Sequence, residues 1–280
     1  VVVIGGGTAG LEAACTAAEV GCNTFLLEKS NELGGLASLI SKIPAKNRLA
    51  DFPHYLMHRA EQLDNLYIFK NTEGTPENIR KFHPNIIVSS TGSAPLLPPI
   101  AGLKDRIDNE NHNIYSILGM ISHINDFPKD LEGKKVVVVG GGAVGLDVVE
   151  FFADRNADIS IVEMMDQIGR DLDPVSKNDT KTMMKKHNVH QLTKTALLEV
   201  KDSSFLVRGD GEPYELPFEY GFVCLGMRAQ GQLYQNLTEE FSSEDVEIMN
   251  IGDSQRARRI IDGTQEGRNI LTVLEQKGYL

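Results

Sequence analysis

The feature that most constrains this chain is a pattern of strand, glycine turn, helix and strand that occurs twice. The first copy begins with VVVIGGGTAG at residue 1, and the second begins with VVVVGGGAVG at residue 136. The first glycine, the last glycine and the acid that follows the second strand all recur at an offset of 135 residues. A chain with two such copies is expected to bind two nucleotides.

Each part of the first copy has a physical reason. The apolar run 1–4 predicts a buried parallel strand that ends directly in a glycine-rich turn. Gly5 permits the tight turn out of the strand, Gly7 lets the backbone approach a pyrophosphate, and Gly10 lets the next helix pack closely. The N-terminus of that helix presents free N–H groups and the positive end of a dipole to the phosphates.

A carboxylate completes the first copy. The strand predicted for residues 23–27 ends at Glu28, which follows Gly10 by eighteen residues. A carboxylate at this point can accept hydrogen bonds from both hydroxyls of an adenosine ribose, and it repels a 2′-phosphate. The first site is therefore expected to bind a dinucleotide that lacks a 2′-phosphate.

The second copy repeats every part. Residues 136–139 and 159–162 are predicted strands, and residues 146–154 are the helix between them. The turn glycines and the ribose acid of this copy are Gly140, Gly142, Gly145 and Glu163. Because the acid again favours an unphosphorylated ribose, the second site is expected to prefer NADH over NADPH.

Composition and charge argue against several kinds of partner. The chain has 280 residues, of which 41% are hydrophobic, and its formal net charge is −11. This acidic balance argues against a nucleic-acid or anionic-membrane surface, although a local basic patch at Arg256, Arg258 and Arg259 stays open. No apolar run is long enough to span a membrane. The three cysteines have no regular spacing, which indicates a reducing, cytoplasmic location.

Neither cysteines nor histidines indicate further chemistry. Cys15, Cys22 and Cys224 form no C-x-x-C or C-x4-C pair, so disulphide reduction beside a flavin is not expected. His54 and His58 are four residues apart on a predicted helix, but no third ligand is close in sequence. We therefore predict no metal site. No catalytic residue is predicted from these side chains either.

The rest of the chain indicates how the two copies are arranged. Apolar runs that end in glycine recur at 86–92, 222–226 and 246–252, and the last of these is followed by a helix. A hairpin is predicted at Asp210-Gly211. The sequence therefore predicts an α/β fold of two Rossmann-like three-layer domains, the second inserted into the first. The first domain is expected to comprise residues 1–112 and 229–280, and the inserted domain residues 113–228.

These motifs resemble a known superfamily. The two fingerprints, Thr91-Gly92 and the late Gly252-Asp253 are similar to the flavoproteins in which an NAD(P)H domain is inserted into an FAD domain. Glu28-Lys29-Ser30, Leu33-Gly34-Gly35 and the segment 161–174 resemble, within it, the C-terminal region of the 2,4-dienoyl-CoA reductase, enoate reductase and trimethylamine dehydrogenase group. The resemblance covers essentially the whole chain.

The resemblance implies a set of cofactors and of residues that hold them. For FAD these residues are Gly5, Gly7, Gly10, Glu28, Lys29, Gly34, Gly35, Thr91, Gly92, Gly252 and Asp253. For NADH they are Gly140, Gly142, Gly145, Glu163 and Gly226. In that group an N-terminal barrel carries FMN and a [4Fe-4S] cluster. Because this chain starts in a strand without Met, we expect it to be a module of a longer enzyme whose barrel reduces an enoate-type substrate.

Departures from the group's pattern keep alternatives open. Leu36 stands where a Gln is common, Ser90 stands where Ala is usual, and Gly263 lies in a helix that usually has Ala. The first two lie near the expected flavin, so binding of the isoalloxazine is less strongly indicated than binding of the ADP half. One alternative is a structural domain that binds ADP, and another is a free-standing reductase like ferredoxin reductase. A homo-oligomer is also left open.

Overall fold

The computed structural model describes residues 1–280 and contains two five-stranded parallel sheets. The strands are β1 Val2–Ile4, β2 Thr24–Leu27, β3 Leu66–Phe69, β4 Ile86–Ser89, β5 Ser93–Pro95, β6 Ile114–Tyr115, β7 Lys135–Val139, β8 Asp158–Val162, β9 His190–Leu192, β10 Ala196–Val200, β11 Ser204–Arg208, β12 Tyr214–Pro217, β13 Tyr220–Val223, β14 Met227–Ala229 and β15 Glu247–Asn250. The helices are α1 Thr8–Glu19, α2 Gly35–Ile40, α3 Asp51–Glu61, α4 Pro76–Arg80, α5 Leu103–Arg106, α6 Ile117–Ser122, α7 Ala143–Ala153, α8 Pro174–Lys186, α9 Gln232–Glu240, α10 Ile260–Arg268 and α11 Ile270–Gln276. Two 3-10 helices span Pro44–Ala50 and Gly252–Ser254.

The chain divides into two compact units, and the second is inserted into the first. The first unit comprises residues 1–42, 46–94 and 228–280, and the second comprises 43–45 and 95–227. The predicted boundary at residue 112 and the observed passage near residue 94 differ for a physical reason. Leu103 is fully buried in the core of the second unit, together with Val137 and Phe205. The segment that precedes β6 therefore belongs to the inserted unit.

The sheet of the first unit has the strand order β15-β4-β1-β2-β3. One of its faces packs against α1, α3 and α11, where Val3, Leu11 and Leu56 are fully buried. The opposite face packs against α4 and α9 through Ile79 and Leu237. Helices therefore cover both faces of a parallel sheet, as the sequence predicts, and this arrangement is the three-layer α/β fold.

The sheet of the second unit has the order β6-β13-β7-β8-β9, and its layers differ from those of the first. One face packs against α7, whose Phe152 lies 4.8 Å from Phe222 between ring centroids. The other face packs against a three-stranded antiparallel sheet, β10-β11-β12, through Phe205. The predicted hairpin at Asp210-Gly211 is confirmed, because β11 and β12 pair antiparallel on either side of it.

Small residues bring α10 close to α1 in the first unit. A Cβ atom added at Gly263 would lie 3.3 Å from the Cβ of Ala9, and one added at Gly267 would lie 2.6 Å from the carbonyl oxygen of Ala9. The glycine at position 263, which costs about 1 kcal/mol of helix propensity relative to Ala, therefore allows a close helix contact. No helix in the chain has the length and apolar character needed to cross a membrane.

Candidate dinucleotide-binding sites

Both glycine-rich turns lie where the order of strands reverses. β1 pairs with β2 on one side and with β4 on the other, and β7 likewise pairs with β8 and β13. The crevice outside the carboxyl end of such a strand is where open α/β sheets bind their ligands. Each turn therefore stands at the ligand-binding edge of its own sheet.

Steric limits explain two glycines in the first turn. Gly5 has a φ of +102°, and a Cβ atom added there would overlap the carbonyl oxygen of Ser90. A Cβ atom added at Gly10 would overlap the carbonyl oxygen of Gly5, because α1 packs directly against the turn. Neither position can hold a side chain without moving the backbone.

Gly7 has the opposite surroundings. A Cβ atom added there would have only the Cα atom of Gly35 nearby, at 4.0 Å. Gly7 is also the N-cap of α1, and no side chain caps this helix, whereas Thr75, Ser116 and Asp173 cap other helices with side-chain oxygens. The first N–H groups of a helix have no intrahelical partner. Open space beside uncapped N–H groups fits the phosphates of a dinucleotide.

Backbone N–H groups hold the carboxylate of Glu28 in place. Gly6 N donates to Oε2 at 2.7 Å, and Ser30 N donates to Oε1 at 2.8 Å. Each carboxylate oxygen can accept more than one hydrogen bond. The carboxylate is therefore oriented by the protein and can still accept hydrogen bonds from ribose hydroxyls.

The second site repeats this geometry bond for bond. Gly141 N donates to Oε2 of Glu163 at 2.6 Å, and Met165 N donates to Oε1 at 2.7 Å. Added Cβ atoms at Gly140 and Gly145 would overlap the carbonyl oxygens of Cys224 and Gly140, whereas one at Gly142 would meet nothing within 4 Å. The residues present therefore fit a dinucleotide in both units.

A second glycine segment touches the first turn. Gly34 N donates to the carbonyl oxygen of Gly6 at 2.7 Å. Gly34 and Gly35 have φ values of +96° and +58°, and a Cβ atom added at Gly35 would lie 3.0 Å from the Cα atom of Gly7. The structure thus brings the predicted pair of glycines to the first glycine turn. Lys29 is exposed, and its side chain makes no hydrogen bond or ion pair.

The remaining predicted residues of the first unit are held by polar contacts. Thr91 Oγ1 donates to the carbonyl oxygen of Gln230 at 2.7 Å, and Gln230 N donates to that of Gly92 at 3.0 Å. Asp253 accepts from Ser93 Oγ at 3.1 Å and from the backbone N–H of Arg258 at 3.0 Å.

Gly252 and Gly226, two more of the predicted residues, also have positive φ. Gly252 has a φ of +67°, and its N–H donates to Oε2 of Glu266 at 2.7 Å. In the second unit, Gly226 is exposed with a φ of +104°, and its carbonyl oxygen accepts from Leu96 N at 2.9 Å. The sequence pattern includes both glycines but gives no signal for Glu266. The carboxylate of this residue holds the backbone N–H of Gly252.

Ser90 has a role that sequence reasoning missed. Its buried hydroxyl donates to the carbonyl oxygens of Ile4 and Gly5, at 2.8 and 3.0 Å. This departure from Ala made flavin binding less strongly indicated by the sequence, and in the structure the hydroxyl is directed at the turn and fastens β4 to it. The departure from Ala was visible in the sequence. The direction of the hydroxyl could not be predicted, because it depends on how β1 and β4 lie side by side in the sheet.

The thiols have surroundings unlike those of reactive cysteines. Burial raises the pKa of Cys15 to about 11 and that of Cys224 to about 12. Burial also raises the pKa of Cys22. All three cysteines are free, and no group of His, Cys, Asp and Glu side chains is arranged to hold a metal ion.

Fold and sites together define a class of protein: an α/β protein with two dinucleotide-binding units, one inserted into the other. The sequence profile of the pyridine nucleotide-disulphide oxidoreductases matches residues 1–248. This chain belongs to that family of FAD-dependent NAD(P)H oxidoreductases.

Curated relatives are longer proteins. The chain is 28% identical to an NADH oxidase of Thermoanaerobacter brockii over 268 residues, which cover 95% of this chain and 40% of the relative. It is 28% identical to a bilirubin reductase of Mediterraneibacter gnavus over 278 residues, 98% of this chain and 40% of the relative. The chain thus spans about two fifths of the length of these relatives.

Solved structures share the fold. A 2-naphthoyl-CoA reductase superposes with a TM-score of 0.80 at 24% identity, over 96% of this chain and 39% of that one. A histamine dehydrogenase from Rhizobium sp. 4-9 gives a TM-score of 0.82 at 17% identity, over 96% of this chain and 40% of that one. The thioredoxin reductase of T. acidophilum gives 0.70 at 16% identity and is covered over 98% of its length. The chain therefore has the fold of the C-terminal flavoprotein region of the 2,4-dienoyl-CoA reductase group.

Proposed function

We propose that this chain is an electron-delivery module in which the first unit binds FAD and the second unit binds NADH. The observation that carries the proposal is the repeated carboxylate geometry. Two backbone N–H groups orient Glu28 in one unit and Glu163 in the other, each beside a glycine whose surroundings are open. Two sites of the same construction call for two ligands with the same adenosine diphosphate half.

The residues of the chain bind and orient. Gly7 and Gly142 leave space for the pyrophosphates, and the N-termini of α1 and α7 supply N–H donors to them. Glu28 and Glu163 accept hydrogen bonds from the ribose hydroxyls. In the first site, Asp253 contacts the ribityl or phosphate region of FAD. FAD, when bound, supplies the chemistry of accepting a hydride from NADH.

Onward transfer requires a further acceptor. The relatives are more than twice as long as the matched region, and they include an NADH oxidase, a metal reductase and a cinnamate reductase. We propose that the electrons pass to a barrel domain of the same polypeptide that carries FMN and a [4Fe-4S] cluster and reduces an enoate-type substrate. Exchange with a disulphide substrate is not proposed, because the pKa values of all three thiols are raised.

Absorption spectroscopy tests the first cofactor. The purified chain, incubated with FAD and freed of excess, is expected to retain a visible flavin band. The Gly10→Val variant is the control, since it should release that cofactor. Retention of ADP without any flavin band would replace FAD by ADP in the first site and make this unit a structural nucleotide-binding domain.

Stopped-flow reduction of the reconstituted chain tests the second cofactor. A 2′-phosphate beside Glu163 would bring like charges together, so NADH is expected to reduce the bound flavin faster than NADPH does. The side chains that directly follow the acid, Met164 and Met165, offer no compensating cation, and the first cation after them in the chain is Arg170. Equal or faster reduction by NADPH would contradict the assignment.

Steady-state assays test the proposal that this chain is an electron-delivery module without a site for the organic substrate. We expect the chain to oxidise NADH with ferricyanide and to fail with an enoate such as cinnamate, because no residue here is assigned to an organic substrate. The Gly145→Val variant should lose the ferricyanide reaction. Turnover of the enoate by this chain alone would show that the substrate site lies within it.

A further inference from the structure

We propose that Arg170 binds the pyrophosphate of the dinucleotide in the second site. The inference rests on the proposed function, because it concerns the NADH site of the same unit. It adds a residue that lies outside the glycine pattern and has no cationic counterpart in the first site.

The internal repeat fixes the position of this residue. Gly169 N donates to the carbonyl oxygen of Gly141 at 2.7 Å, as Gly34 N does to that of Gly6 at 2.7 Å. The chain therefore contacts both glycine turns at equivalent points. The next residues, 35 and 170, leave these points in the two units.

What stands at this position differs between the units. In the first unit it is glycine, whose added Cβ atom would lie 3.0 Å from the Cα atom of Gly7. The second unit has Arg170 instead, and Gly142, the counterpart of Gly7, has nothing within 4 Å of an added Cβ atom. The space over Gly142 is thus left open by the protein, and Arg170 directly follows the residue that contacts the turn at Gly141.

Nearby carboxylates do not neutralise Arg170. Its side chain is exposed and makes no hydrogen bond or ion pair. Glu163 accepts from two backbone N–H groups, and Asp173 caps α8 through Val175 N at 2.9 Å and Ser176 N at 3.1 Å. Both acids therefore already have partners, and Asp166 and Asp171, which are exposed and close to Arg170 in sequence, make no ion pair with it.

The chemistry of the guanidinium selects the ligand group. Its planar array of N–H donors matches two oxygens of a phosphate, and a charge-assisted pair of this kind is stronger than a neutral hydrogen bond. A pyrophosphate held at the N-terminus of α7 is the anion placed beside Gly142. Arg170 is therefore a positioning residue for the dinucleotide, and its contact does not require a nicotinamide.

Calorimetric titration of the FAD-loaded chain with ADP-ribose, adenosine and 2′,5′-ADP is the test. We expect Arg170→Gln to weaken the affinity for ADP-ribose by about ten-fold and to leave the affinity for adenosine unchanged. Added salt should weaken ADP-ribose binding more in the wild type than in the variant. Arg170→Lys should restore part of the affinity, since it keeps the charge but loses the paired donors.

Lys194→Asn is the matched control. Lys194 is also exposed and unpaired, and its N–H donates at 2.9 Å to the carbonyl oxygen of Met165, two residues after Glu163. Its loss should not change ADP-ribose affinity. An equal loss in both variants would replace a local contact by general electrostatics and overturn the proposal. So would an Arg170→Gln effect confined to 2′,5′-ADP, or no effect.

The Gly145→Val variant separates this inference from the proposed function. If ADP-ribose binds that variant as tightly as the wild type, the second site itself is wrongly assigned. If Gly145→Val abolishes binding while Arg170→Gln leaves it intact, the site stands and the role of Arg170 fails.

Discussion

The two glycine turns have the same backbone hydrogen bonds but differ in the side chains around them. In the first unit the hydroxyl of Ser90 donates to the turn, whereas in the second unit Cys224 takes that place in the chain with a buried thiol. The shared contacts are those that a phosphate and a ribose require. The side chains that differ determine how each turn is held against the neighbouring strand, and this support is what distinguishes the two sites.

A second difference lies beside each ribose acid. Asn71 N donates to the carbonyl oxygen of Ser30 at 3.0 Å, and Lys194 N donates to that of Met165 at 2.9 Å. Both residues have a left-handed backbone conformation, with φ values of +52° and +51°. Asparagine tolerates this conformation better than lysine does. The first unit therefore has the more relaxed residue at an equivalent backbone position.

The largest effects are expected at the glycines where helix meets turn. Gly10→Val and Gly145→Val each force a side chain against a carbonyl oxygen of the turn, which should cost about 3 kcal/mol of stability and expel the nucleotide of that unit. Gly10→Val should lower the FAD content, and Gly145→Val should raise the Kd for NADH. Flavin absorbance and NADH titration measure the two outcomes.

The comparison breaks if the units are not independent. Each variant should spare the ligand of the other unit, since distant sites act additively. Loss of both ligands from either single variant would mean that the two units fold together or share one site. Gly211→Val, in an open hairpin turn, serves as the control for a valine introduced without a clash.

A smaller and more selective effect is expected at the open glycines. Gly7 and Gly142 have φ values of −73° and −79°, which any residue can adopt. Alanine at either N-cap should therefore cost less than about 1 kcal/mol of stability, while its methyl group enters the space left for the pyrophosphate. We expect at least a ten-fold weaker Kd at the site that carries the substitution, measured beside an unchanged urea midpoint.

Undiminished binding by Gly7→Ala or Gly142→Ala would show that the phosphates do not approach these residues. The pairing with the preceding variants is informative, because valine at Gly10 or Gly145 acts through the fold. Alanine at Gly7 or Gly142 acts through the ligand alone.

Features that depend on local interactions could be predicted from the sequence, and features that depend on packing between distant residues could not. The strands, turns and acids repeat at one offset, and their chemistry is local, so the α/β fold and the place of Glu28 and Glu163 were predictable. The passage between units near residue 94 was not, since it depends on Leu103 packing into a distant core. The hairpin at Asp210-Gly211 was predictable from its turn residues, but the packing of its sheet against the second unit was not, since it depends on Phe205 entering a core of residues distant in sequence.

The brace of the first turn gives a third, moderate prediction. Ser90→Ala removes the donor to the carbonyl oxygens of Ile4 and Gly5, so it should cost about 1 kcal/mol of stability. Cys224→Ser should cost less, because Cys224 N already donates to the carbonyl oxygen of Val139 at 2.7 Å, as Ser90 N does to that of Ile4 at 2.8 Å. A serine hydroxyl there can reach equivalent acceptors. Urea unfolding compares the two variants, and a larger loss in Cys224→Ser would mean that a serine at this place cannot brace the second turn as Ser90 braces the first.

The smallest expected effect has the opposite sign and concerns the left-handed residues. Lys194→Gly should relieve a conformation that costs a lysine about 1 kcal/mol, partly offset by the greater freedom of glycine in the unfolded chain. The net stabilisation should be about 0.5 kcal/mol, seen as a small rise in the urea midpoint. Asn71→Gly, at the equivalent position of the first unit, should give less, because asparagine already tolerates a φ of +52°. If Lys194→Gly destabilised the chain, then the lysine side chain would be making a stabilising contact there, and the left-handed backbone would not be the cost that the comparison assigns to it.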